Sequence, residues 1–209
     1  MWPHKRGAIE KPGREELNMG KRFPEIGQER REFIERQKMF FVGTAAPDGR
    51  VNVSPKGMDS LRVLGDNRVV WLNLTGSGNE TASHMVENDR MTLMFCAFEG
   101  SSLILRLFGH AKVVHPRDRE WGELFSLFRP IPGARQIFDM HVDLIQESCG
   151  MAVPLFDFKE QRDLLEQWAE RKGEQGLREF WEGHNQASVD GRPTRILVPE
   201  TAAAATERH

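Results

Sequence analysis

The hydrophobic positions fall into short runs with strand spacing, separated by turn residues, and only a few longer stretches carry the spacing of helices. Residues 39–46 are apolar and β-prone, 47–50 (PDGR) form a turn signature, and 51–57 resume with Val51 and Val53 in alternation, which predicts a hairpin. A second hairpin is predicted from 61–64, the Gly65-Asp66-Asn67 turn and 68–74. Residues 91–98 (MTLMFCAF) read as a nearly continuous apolar strand and 99–102 as a turn. The long strand at 103–115 carries Arg106 and Gly109, the glycine marking a bulge or a close backbone approach. Residues 142–153 read as the last strand, interrupted by Ser148-Cys149-Gly150.

Helical spacing is confined to four places. Ile26, Phe33 and Ile34 recur among charges at 24–38, with Pro24 suited to a first turn, and predict an amphipathic helix that lids a barrel. Residues 79–88 follow the second hairpin as a helix, and 116–128 place Trp121, Leu124, Phe125 and Phe128 on one face until 129–133 (RPIPG) break it. Residues 159–181 are amphipathic, with breaks near Gly173 and Gly176. Strands linked in order by hairpins, with helices inserted late, predict a mainly β fold with peripheral helices. Its antiparallel sheet closes into a barrel, because a flat sheet leaves two edges unpaired. The domain is expected to run over 23–198, between a polar tail at 1–22, where Met19 offers an alternative start, and an alanine-rich tail at 199–209.

Composition narrows the class. The chain has 209 residues, 39% hydrophobic and 29% charged, which suits one soluble domain with one core. A net charge of -2 gives no overall attraction to nucleic acid or to an anionic membrane, so neither is expected as a partner. Two cysteines, Cys96 and Cys149, make no disulfide scaffold and lack zinc-ligand spacing. With no apolar leader behind the charged first residues and no spanning run, they are expected to be reduced thiols of a cytoplasmic protein. Aromatic contacts to a ligand must come from tryptophan, phenylalanine or histidine, since the chain has no tyrosine.

The stretch with most chemical content is 75–81 (TGSGNET), between an apolar run (Val69, Val70, Trp71, Leu72) and a predicted helix. Two glycines permit a tight turn and a close approach, while Thr75, Ser77, Asn79 and Thr81 add donors beside the backbone N–H groups of a helix start, which suits a phosphate. The same residues also read as a plain cap: Ser77 as N-cap with Glu80 at capping-box spacing requires no ligand, and Glu80 sets a negative charge where an anion would sit. Two residues apart on one predicted strand, Ser54 and Lys56 face the same way and Val53 the other. Lys56 then either balances a phosphate held by Ser77 and Asn79 or is a solvated lysine at a strand end. His84, His110, His115 and His141 are not at metal-ligand spacing, so no metal is expected. No nucleophile elbow, metalloprotease helix or P-loop lysine is present, and Cys149 has no adjacent base, which leaves it a packing residue or pocket wall. Gly76-Ser77-Gly78 lacks the third glycine of a dinucleotide fingerprint, which favours a mononucleotide. Residues 188–193 (SVDGRP) are accounted for by an Asp190-Gly191 turn.

Taken in order, NVSPKG (52–57), LTGSGNETASH (74–84), ILRLFGHA (104–111) and SCG (148–150) resemble the pyridoxamine 5'-phosphate oxidase-like, FMN-binding split-barrel proteins over about residues 23–198. The resemblance implies a six-stranded antiparallel split β-barrel acting as a homodimer, with FMN in the grooves between subunits. It places Ser54 and Lys56 in the second-strand cofactor contacts, with Asn52 and Val53 running beneath the flavin edge. Thr75, Ser77, Gly78, Asn79 and Thr81 fall in the phosphate segment, and Arg106 on a strand that reaches the cofactor across the dimer. Ser148 and Cys149 fall beside the open flavin face, as substrate contacts. Glu80 stands where the true oxidases have a basic residue, and their arginine-containing C-terminal signature is not recognisable. The implied activity is an FMN-dependent oxidoreductase acting on a small molecule, with no catalytic residue named, since the flavin carries the chemistry. Three alternatives remain: a non-catalytic flavin- or haem-binding sensor or carrier on the same barrel, a deazaflavin in place of FMN, and an interaction protein whose glycine turn only caps a helix and whose Phe and Trp faces form a dimer interface.

Overall fold

Both predicted hairpins form. The computed structural model describes residues 20–197. In it β2 (Phe40–Thr44) pairs antiparallel with β3 (Asn52–Lys56), and β4 (Leu61–Gly65) with β5 (Arg68–Leu74). The other elements are β1 (Lys21–Phe23), α1 (Gly27–Arg36), α2 (Glu80–Met85), β6 (Arg90–Cys96), β7 (Ile104–Val114), α3 (Trp121–Phe125), β8 (Ala134–Ser148) and α4 (Leu164–His184). The fold is mainly β and antiparallel, a split barrel with peripheral helices. Of the expected terminal tails, residues 1–19 and 199–209 lie outside the described residues, and Lys21 and Arg22 are strand residues.

Among the described residues the sheet carries eight strands rather than six, in the order β3-β2-β6-β7-β8-β5-β4 with β1 added to β8. The extra pairing follows from the length of β8. Its first half pairs with β5 as far as His141, and β1 covers the edge beyond it at Ile145, Gln146 and Glu147, where unpaired backbone groups would be left. β8 also begins well before the expected residue 142. Residues 135–138 are all buried, because the barrel interior takes one face and the α3 layer the other, so the run shows no period of two. It stops at Ser148 because Gly150 turns at φ 63°, with a Cβ there set 2.8 Å from the Leu103 backbone. The helix expected at 116–128 shrinks to five residues flanked by turns, with Leu124 its one buried side chain. In α4 the break falls at Gly173 (φ 64°).

Gly109 is both bulge and close approach: the register of β7 against β8 shifts at this residue, and a Cβ would lie 1.9 Å from the His141 carbonyl oxygen. The barrel interior is filled by Trp71, Phe95, Leu93, Leu105, Leu107, Phe138, Met140 and Ile145, with Trp71 stacked on Phe138 at 4.4 Å. Phe33 and Ile34 of α1 join this core, as expected of a lid. A second cluster on the outer face sets Val70, Leu72 and Ile137 against Leu124, Phe128 and Ile131.

The split lies between the sheet edges. β3 and β4 are consecutive in the chain yet occupy opposite ends of the sheet order, joined through 57–60. β4 pairs with β5 only from Arg68 to Trp71, so the rest of β5 and the glycine turn after it have no strand on that side. β3 lies across this gap, with the Lys56 ammonium 5.4 Å from the Trp71 ring centroid.

Candidate functional site

Polar side chains converge on this seam. On β3, Val53 and Pro55 point outward and are exposed, Val53 at 62%, while Asn52, Ser54 and Lys56 occupy the inner face, as the period of two requires. Asn52 reaches Thr81 of α2 (Nδ2 to Oγ1, 3.4 Å), and the Ser54 hydroxyl donates to Asn52 Oδ1 at 3.3 Å. From the opposite bank, Asn73 Nδ2 donates to Gln136 Oε1 at 3.2 Å and approaches Asn79 Oδ1 at 3.5 Å.

This layer contains two cations, Arg135 buried and Lys56 half-buried. The Arg135 guanidinium is 3% exposed; Nη1 donates to Asn185 Oδ1 (2.5 Å) and Nη2 to the Gly78 carbonyl oxygen (2.8 Å), and burial lowers its pKa to about 10. Lys56 is brought down from 10.5 to about 8, first by burial and then by the like charge of Arg135. No carboxylate is among the groups that act on either. Around them, buried Arg135 Nε, Asn79 Nδ2 and Gln136 Nε2 are donors without a hydrogen-bond partner among the described residues, and Asn73 Oδ1 is an acceptor without one. Two desolvated cations and three unanswered donors cost stability as they stand.

The glycine turn is built by other means than a helix cap. The N-cap of α2 is Asn79, not Ser77, and it makes no side-chain cap bond. α2 has six residues. Glu80 does not reach back as in a capping box; both its oxygens accept from the Val189 N–H at 3.1 Å, which turns its charge toward the C-terminal segment. Thr75 is 1% exposed: its hydroxyl donates to the Gly133 carbonyl oxygen (2.7 Å) and accepts from the Trp181 indole N–H (2.9 Å), fastening the turn to β8 and α4. Asn79 and Thr81 are buried in the layer, Ser77 is exposed at its rim, and Gly78 supplies the carbonyl that holds Arg135.

Arg106, Ser148 and Cys149 stand apart. Arg106 and Ser148 meet on adjacent strands (Nη1 to Oγ, 3.3 Å), with Arg106 on the face of β7 opposite the core residues Leu105 and Leu107, and Cys149 is an exposed thiol. Within one chain they share no contact with the seam. Nor does an apolar groove of about 830 Å³ between Met39, Phe41, Phe98, Phe156 and Phe158, whose rim carries charges of both signs.

Arg135, Gln136, Asn73 and Asn185 are site residues that the sequence reading did not find. A signal existed for the first two: an Arg-Gln pair opening an apolar run just after Pro132-Gly133.

The family model for pyridoxamine 5'-phosphate oxidase matches residues 26–149. A curated relative, the pyridoxamine 5'-phosphate oxidase family protein ustO of Aspergillus flavus, is 35% identical over 181 residues, covering 78% of this chain and 73% of that protein. The chain belongs to the pyridoxamine 5'-phosphate oxidase family. In this family member the match ends at Cys149, so α4 and the segment that reaches Asn185 and Val189 lie beyond it. Similar solved structures include HupZ of Group A Streptococcus (20% identity, TM-score 0.46, 57% of this chain and 91% of that one). An FMN-binding protein of Syntrophomonas wolfei (14%, 0.42, 61% and 85%) and the haem storage protein HutZ of Vibrio cholerae (17%, 0.40, 56% and 90%) also resemble it. Likenesses at that level carry no functional argument.

Proposed function

We propose that this chain is an FMN-dependent oxidoreductase acting on a small molecule, with the flavin phosphate seated in the seam between β3 and the glycine turn. The observation that carries the reading is the pair of desolvated cations, half-buried Lys56 and buried Arg135, set among unanswered donors, with no carboxylate among the groups that shift either charge. A phosphate monoester brings about two negative charges and several acceptor oxygens, which matches that donor set. Lys56 and Arg135 hold its charge, Asn79 and Gln136 donate to its oxygens, and Asn52 and Ser54 line the inner face of β3 along the path of the attached chain. Bound there, the isoalloxazine supplies hydride or electron transfer between a donor and an acceptor. The protein's own task is binding and orientation, which is consistent with a site free of any nucleophile–base pair.

We further propose that two copies assemble. Val51 and Val53 form an exposed apolar patch on the outer face of the β3 edge, 72% and 62% accessible, and Arg106 with Ser148 needs a second chain to approach a seam. The test of the function is the visible spectrum of the purified protein, with identification of the molecule released on denaturation, then anaerobic mixing with NAD(P)H. Bound FMN that NAD(P)H bleaches anaerobically and that an added electron acceptor then reoxidises, with the acceptor reduced, supports the enzyme. A flavin that is bound but never turns over supports the carrier reading, and a colourless protein that takes up no FMN overturns both.

A further inference from the structure

The seam is closed from outside by a segment that the turn at 188–193 only begins to explain. Leaving α4, the chain runs through Asn185 and returns along 186–194 over both banks of the gap. On the β2–β3 bank, Arg192 pairs with Asp48, and Asp190 pairs with Arg50 and accepts its backbone N–H at 2.8 Å. On the α2 bank, Arg192 also pairs with Glu87, the Arg192 carbonyl accepts from the Ser83 hydroxyl at 3.2 Å, and Val189 donates to Glu80. A single segment thus spans the two sides whose separation sets the width of the seat.

Asn185 is the point at which this segment enters the site. It is fully buried, and every polar group it has is engaged: Oδ1 accepts from Arg135, Nδ2 donates to the Gly76 carbonyl oxygen at 3.1 Å, its carbonyl accepts from Thr194, and its N–H donates to Trp181. One amide side chain therefore fixes both the guanidinium and the backbone of the glycine turn. Arg135 is a long side chain that would otherwise turn to water, so without Asn185 and the Gly78 carbonyl nothing among the described residues keeps its charge at the seam.

We propose that Arg135 is the residue that makes this site prefer a phosphorylated flavin over its dephosphorylated form, and that Asn185 is the positioning residue that aims it. The inference rests on the reading that the seam holds a flavin phosphate, and it adds that the preference is written in β8 and the C-terminal segment as well as in the glycine turn and Lys56. Arg135 gives charge-assisted donors at fixed angles to a tetrahedral anion, which riboflavin lacks.

The test is a pair of titrations, FMN and riboflavin, into the full chain stripped of flavin, for wild type, Asn185→Ala and Asn185→Asp. Asn185→Asp keeps an acceptor for Arg135 while cancelling its charge, and both variants lose the bond to the Gly76 carbonyl, so the difference between them reports the Arg135 contact. The expected result is a wild type that prefers FMN, and variants whose FMN affinity falls by about tenfold or more while riboflavin affinity stays within about twofold, as loss of one charge-assisted contact requires. Both variants are expected to melt below wild type, Asn185→Asp less so because its pairing with Arg135 offsets part of the lost bond to the Gly76 carbonyl. FMN and riboflavin affinities that fall together in both variants, or an unchanged FMN affinity, overturn the inference and leave the flavin reading standing. Binding of neither flavin by the wild type overturns both.

Discussion

Lys56 and Arg135 are like charges set against each other at the seam: burial, and after it the Arg135 guanidinium, brings the Lys56 ammonium from 10.5 down to about 8. Native Lys56 therefore holds fewer protons than the unfolded chain between pH 8 and 10.5, and the stability of the ligand-free protein rises with pH through that window. The rise is on the order of 1–3 kcal/mol. Urea unfolding of flavin-free protein at a series of pH values measures it, and a flat profile between those limits would contradict the burial of an unpaired ammonium. The affinity for FMN moves the opposite way, falling as pH passes about 8 and the seat loses one of its two charges.

Lys56→Met removes the desolvated charge and keeps the stem that lies against Trp71. The ligand-free variant should be at least as stable as wild type, by up to about 1–2 kcal/mol. Its FMN affinity should be lower by about tenfold or more. Denaturation and flavin titration on the same preparation check both halves. A variant less stable than wild type, with FMN affinity intact, would mean that Lys56 is a packing residue.

Thr75→Val tests a residue that the sequence associates with the cofactor and the structure commits elsewhere. Its hydroxyl is shared between the Gly133 carbonyl and the Trp181 indole; the Thr75 backbone N–H still serves that carbonyl in the variant, so the loss should be about 1–2 kcal/mol, chiefly from the unanswered indole N–H. Its ratio of FMN to riboflavin affinity should stay at the wild-type value. A fall in that ratio would place the hydroxyl on the phosphate.

Gly109→Ala should cost about 3 kcal/mol or more, because the added methyl meets the His141 carbonyl at a distance that only backbone movement relieves. Thermal melting measures it, and a variant that melts with wild type would mean that β7 and β8 can part at the bulge without loss.

Much of the barrel is legible in the sequence because its hairpins are local: turn residues at 47–50 and 65–67 sit between runs whose alternation shows which side is buried. The seat is legible only on the bank where polar residues alternate with exposed ones, as in Asn52, Val53, Ser54, Pro55 and Lys56. On the opposite bank the signal fails. The start of β8 is buried on both faces, so Arg135 and Gln136 look like interruptions rather than members of a strand. Asn185 lies 109 residues from Gly76 along the chain, and the fold alone brings them together. Glu80 reads as an obstacle to an anion until Val189 supplies the partner that turns it aside. Of the two strands beyond the expected six, β1 is one, and it pairs with the part of β8 that runs past β5.

The most direct measurement is the phosphorus-31 chemical shift of FMN bound to the full chain, followed through the range where a phosphate monoester takes up its second proton, near pH about 6. Seated between Lys56 and Arg135, the phosphate should remain doubly ionised well below that pH, giving a flat shift where free FMN titrates. A bound signal that titrates with free FMN, or the lack of any bound signal, would contradict the assignment of the two cations to a flavin phosphate.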